Sequence, residues 1–169
     1  MNNKFLKFGI AIAALAAIAV PSAFGRKVGY RLKPIISSEE KEEQMTAGSF
    51  MVASNCPSCN NGYTIDQIQF SGFSKPQGSF VETFFITNNT NRVLKAVNLY
   101  IDYRDLQDRQ LHKQFLRLSC NIPPGETRMV EIRSWDRNRS FHHKDSPAGS
   151  HPGTPFTVEF DPIAYYLAF

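Results

Sequence analysis

Residues 93–103 put Val97, Leu99, Ile101 and Tyr103 on one side of an extended chain and Ala96, Asn98, Tyr100 and Asp102 on the other. Successive side chains of a strand point to opposite faces, so this alternation marks a half-buried β-strand. The pattern recurs along the chain. Residues 64–70 read Thr-Ile-Asp-Gln-Ile-Gln-Phe and end at Ser71-Gly72. Residues 79–87 carry Val81, Phe84, Phe85 and Ile86 before the turn composition Asn88-Asn89-Thr90-Asn91. Residues 111–122 hold Leu116, Leu118, Cys120 and Ile122 in phase, and Pro123-Pro124-Gly125-Glu126 turns the chain into 128–134, where Val130 and Ile132 point inward. Beyond a loop-like stretch at 136–155, Phe156, Val158 and Phe160 alternate with Thr157, Glu159 and Asp161, and 163–169 is apolar. About seven strands, turn signals at roughly 8–15-residue intervals and no strong helical period imply an all-β, antiparallel β-sandwich.

The first 25 residues carry a different signature. Lys4 and Lys7 precede an uncharged apolar run over 9–20, and Ala23 and Gly25 supply small residues for a cut after Gly25. That is the plan of a secretory signal peptide. The run is about 12 residues long, short of the ~20 that a spanning helix needs, so no stable membrane span is expected after cleavage. The expectation is an exported protein, periplasmic or secreted, with about 144 residues left to build one domain. Losing Lys4 and Lys7 brings the net charge from +4 to about +2. That mild bias, together with export, argues against nucleic acid as a partner. Residues 26–62 read as a polar lead-in, with Ser-Ser-Glu-Glu-Lys-Glu-Glu-Gln at 37–44, and the sandwich is expected over 63–169.

The order of features from Phe84 to Ile132 resembles the immunoglobulin-like domains of exported bacterial proteins called FxLYD. The carriers are the Asn88-Asn89-Thr90-Asn91 turn, the strand Val97-Asn98-Leu99-Tyr100-Ile101-Asp102-Tyr103, and the turn Ile122-Pro123-Pro124-Gly125-Glu126-Thr127. Ile101 stands between Tyr100 and Asp102, and Val97 takes the place of the Phe. The chain is also similar to small secreted proteins of gut bacteria. The resemblance implies an immunoglobulin-like sandwich and names no ligand, since such folds host many roles.

Three cysteines enter an oxidising compartment if the chain is exported. Cys56-Pro57-Ser58-Cys59 has redox spacing, but Asn60-Asn61-Gly62-Tyr63 follows where a redox enzyme would start a helix that activates the first thiolate. A local disulfide or inert pair, a long-range disulfide to Cys120, and a core position for Cys120 all remain open. A structural zinc site would need Cys56, Cys59 and Cys120 plus one of His112, His142, His143 or His151. Adjacent His142 and His143 read as loop residues. Asp102, Arg104, Asp105 and Arg109 read as turn charges. The apolar end, with Tyr165, Tyr166, Leu167 and Phe169, is either a docked last strand or an exposed edge for pairing with a partner. No Ser/His/Asp set, phosphate loop or spaced carboxylate pair is evident, so neither catalysis nor a cofactor is expected. The leading expectation is an exported binding or assembly module for a protein or glycan partner. The alternatives are a thiol-disulfide protein using Cys56 and Cys59, or a structural zinc protein.

Overall fold

The computed structural model describes residues 48–169 except Pro57, Cys59 and His151. The expected signal peptide, most of the polar lead-in and those three residues lie outside the described part. Among the described residues eight strands run in chain order: β1 (Ser49–Ala53), β2 (Ile68–Ser74), β3 (Val81–Asn88), β4 (Leu94–Asp105), β5 (Gln110–Ile122), β6 (Thr127–Arg133), β7 (Phe141–His143) and β8 (Thr154–Ala168). They form a five-stranded sheet ordered β1-β8-β4-β5, with β7 also on β8, and a three-stranded sheet ordered β2-β3-β6. All pairings are antiparallel except β7 with β8. Among the described residues no helix is long and apolar enough to cross a membrane.

One hydrophobic core lies between the sheets. Val97, Leu99, Ile101 and Tyr103 of β4 meet Phe84 and Ile86 of β3 and Val130 and Ile132 of β6 in a single buried cluster. The two inner faces interdigitate as expected for packed sheets. Phe160 of β8 reaches Phe84 and Phe70 across the gap, with ring centroids 5.0 and 5.1 Å apart. β4 is the centre of the larger sheet, paired along its length with β5 and β8.

Turn chemistry sets the connections. The β4–β5 hairpin is closed by the Asp105 carboxylate, which accepts from the backbone N–H groups of Gln107 and Arg109 at 2.9 Å and from Arg109 Nε at 2.7 Å. The Arg109 backbone bond is the main reason that this carboxyl titrates below its ordinary value. Between β5 and β6, Gly125 takes φ +73°, the left-handed conformation a glycine adopts without penalty. Asn88 joins that turn by accepting Gly125 N–H at its backbone oxygen, 2.7 Å, and donating to Glu126 O, 3.0 Å.

Four placements differ from the sequence reading. Ser49–Ala53 lies in the stretch read as lead-in, yet it is β1, with Val52 in the core. Residues 65–67 form a short 3₁₀ turn, and the next strand starts at Ile68 and continues through Gly72 to Ser74. Gly72, at φ +61°, sits in a bulge where an added Cβ would come within 2.7 Å of the Phe85 ring, so the strand bends there instead of ending. His142 and His143 belong to β7, because their backbone pairs in parallel with Thr154–Phe156. Residues 154–168 are one strand, with a register shift opposite Asn98 and Leu99 where Pro162 cannot donate to the ladder.

Candidate functional site

The outer face of the larger sheet is built by register. Tyr100 of β4 stands between Phe115 of β5 and Asp161 of β8, and Asp102 stands between Lys113 and Glu159. These residues alternate with the inward Leu99, Ile101 and Tyr103, so the pleat alone directs them away from the core. The Tyr100 and Phe115 rings lie 5.3 Å apart, Lys113 Nζ is 4.7 Å from the Tyr100 ring centre, and Arg117 Cζ is 5.5 Å from that of Phe115. Phe115 keeps 42% of its surface in solvent.

Acidic groups complete the face. Lys113 Nζ lies 3.8 Å from Asp161, and Arg104 reaches Asp102 at 2.9 Å, Asp108 at 3.2 Å and Glu159 at 3.5 Å. The bonds to Asp102 and Asp108 raise the Arg104 pKa, so its charge is permanent. Two aromatic rings tilted 58° to one another, each with a cation over it and bordered by paired carboxylates, offer π-faces and hydrogen-bonding groups together.

The cysteines occupy two different settings. Cys56 is disulfide-bonded. The remaining cysteine besides Cys120 is Cys59, which lies outside the described residues. The loop after β1 is held back by Asn60, whose side chain accepts from Ala53 N–H and donates to Ala53 O, both at 2.9 Å. Cys120 is a free thiol in the core, and burial pushes its pKa up to about 12. Such a thiol is protonated and inert at neutral pH. A disulfide sulfur offers zinc no thiolate, and Cys120 faces the core. Among the described residues no group of three or more His, Cys, Asp or Glu could hold a metal ion.

His112 stacks on Trp135 at 5.4 Å, while His143 packs edge-on against Phe73 and Phe156. Burial lowers the His143 pKa, so the ring is held neutral. Tyr165 and Leu167 are fully buried, and their strand is bonded by β1 on one side and β4 on the other. The expected pairing edge therefore has no free backbone. Tyr166 lies on the outer face beside Met51, and Phe169 is 80% exposed just past the strand.

Sequence reading missed a buried polar cluster at the β7 end. Lys75 is fully buried, and its Nζ donates to Asp136 Oδ2 at 3.0 Å and to Phe141 O at 2.5 Å. Glu82 is also fully buried, and one of its oxygens accepts from Tyr103 Oη at 2.6 Å. Burial raises the Glu82 pKa against the opposing pull of Ser134, Tyr103 and the Lys75 charge. Burial likewise raises that of Tyr103. No protein-family model, curated protein or solved structure matches this chain.

Proposed function

We propose that the protein is an exported binding or assembly module that performs no chemistry on a substrate. In this reading its working surface is the outer face of the larger sheet. The observation that carries the proposal is Phe115, left partly open on the edge strand β5, tilted against the Tyr100 ring and flanked by Lys113 and Arg117. A packed sandwich does not need an exposed Phe there, and aromatic residues with cations are what binding surfaces enrich. The partner is a protein or glycan. An immunoglobulin-like arrangement is supported by strand order: β3–β6 correspond to strands B and E, and β5–β4–β8 to C′, C and F. In this reading the signal peptide takes the domain to the periplasm or beyond.

A photoreactive phenylalanine analogue placed at position 115 in living cells tests the surface. The expected result is a discrete adduct from position 115 and none from position 80, an exposed Phe on the other sheet's margin. Equal labelling from both positions, or none from 115, would overturn the proposal. The thiol-disulfide reading is favoured only by the bonded state of Cys56. A measured reduction potential below about −300 mV eliminates it.

A further inference from the structure

The buried cluster at the β7 end brings an amine and a carboxyl group into reacting distance. Lys75, just past the end of β2, and Asp136, in the segment after β6, are 61 residues apart in sequence, yet their Nζ and Oδ2 atoms are 3.0 Å apart. Both side chains are almost entirely closed to water, at 0% and 3% exposure. Phe141 fixes both partners, because its carbonyl accepts from Lys75 Nζ while its N–H donates to Asp136 Oδ2 at 2.8 Å. Trp135 packs on Phe141 with ring centroids 5.0 Å apart.

Glu82 stands next to this pair. Its charge interacts with that of Lys75, and the Ser134 hydroxyl beside it accepts from Asp136 N–H at 3.1 Å. Its Oε1 atom is buried without a hydrogen bond of ordinary geometry, although the Ser134 hydroxyl and the Trp135 backbone pull on the carboxyl. A buried carboxylate with one weakly held oxygen is expensive to keep and is suited to carrying a proton.

We propose that Lys75 and Asp136 become joined by an amide bond, an intramolecular cross-link between the two sequence halves of the smaller sheet's surround. A proton first passes from the Lys75 ammonium to the Asp136 carboxylate, which leaves a neutral amine against a neutral acid. Burial penalises both charges, but the Phe141 N–H and Lys75 still hold the Asp136 carboxyl below its ordinary value, so the neutral pair is a minor state through which the reaction passes. The Nζ lone pair attacks Cγ, one bond beyond Oδ2, and the N–C bond forms. The Cγ–O bond of the hydroxyl breaks. Glu82 takes the surplus proton from nitrogen and delivers one to the departing hydroxyl, so water leaves and Glu82 ends as it began. Neither oxidant nor reductant takes part. Holding the groups together replaces a bimolecular condensation by one with an effective molarity that can reach about 10⁵–10⁸ M.

Mass spectrometry of the full chain, expressed with its signal and fully reduced, decides the matter. The expected mass is one water below that of the processed sequence. Peptide mapping is expected to give a branched fragment containing Lys75 and Asp136. A mass without that deficit, with the two peptides separate, would overturn the cross-link. Lys75→Arg keeps a cation but cannot make the bond, and the deficit should vanish in it. Should that variant fail to fold, the map of the unsubstituted protein still decides. In Glu82→Gln the unjoined fraction should rise at least tenfold at a fixed time after synthesis, and an unchanged fraction would remove Glu82 from the reaction.

Discussion

The two ends of β3 face the same core and solve the same problem differently. At one end Asn88 is fully buried and every polar atom of its side chain is used. Its Nδ2 donates to Arg92 O and Ile122 O at 2.8 Å, and its Oδ1 accepts from Thr90 N at 3.0 Å and Thr90 Oγ1 at 2.7 Å. At the other end Glu82 is equally buried, but one oxygen lacks a hydrogen bond of ordinary geometry and the nearest cation, Lys75, is committed to Asp136. A neutral group with complete bonding needs no further explanation than the turn it holds. A buried charge with incomplete bonding is where stability has been given up, and such places are where function is sought.

The contrast can be broken most severely at the charged end. Asp136→Ala leaves a fully buried ammonium with only the Phe141 carbonyl, and the expected loss is about 3–5 kcal/mol in urea unfolding. At the neutral end Asn88→Ala takes the side-chain donor from Ile122 O and the acceptor from Thr90 N–H, while Thr90 Oγ1 and Arg92 O keep each other, and a loss of about 1–3 kcal/mol is expected from the same measurement. The smallest effect on stability should come from Glu82→Gln, whose signature is a changed pH dependence. Because the folded pKa of Glu82 is raised, the folded state keeps its proton to higher pH than the unfolded chain. Its contribution is therefore present below the ordinary value of 4.5 and is lost as pH rises through the raised value. Unfolding curves across that window should slope downward for the native protein and flatten for Glu82→Gln. An unchanged slope would mean that Glu82 is not the group responsible.

These regions were unequally legible. The alternation Val97, Leu99, Ile101, Tyr103 located the inner face of β4, because a half-buried strand writes its burial directly into its period. β1 was hidden because Ser49–Ala53 is short and stands between a charged run and the Cys56 loop. Glu82 and Asn88 do lie in phase with Phe84 and Ile86. The adjacent Phe84-Phe85-Ile86 run, however, blurs which face is inward. Lys75 left no local signal at all. Its burial depends on Asp136 and on Phe141, 66 residues away, and no window of sequence contains that geometry. On the outer face, Tyr100 and Asp102 were placed correctly by pleat, but their company with Phe115, Lys113 and Asp161 needed the strand order. His142 and His143 carry no strand signal of their own, because β7 has only three residues and exists through its pairing with β8.

Stability resides in the inner faces, whereas binding is assigned to an outer face that the fold could spare. The most direct measurement pairs a photoreactive phenylalanine analogue at position 98, next to Tyr100 on that face, with the double substitution Tyr100→Ala and Phe115→Ala. In cells, the adduct formed from position 98 should disappear in the double variant, while its unfolding midpoint in urea stays close to that of the parent. An adduct that persists without the two rings would contradict the assignment of binding to this face.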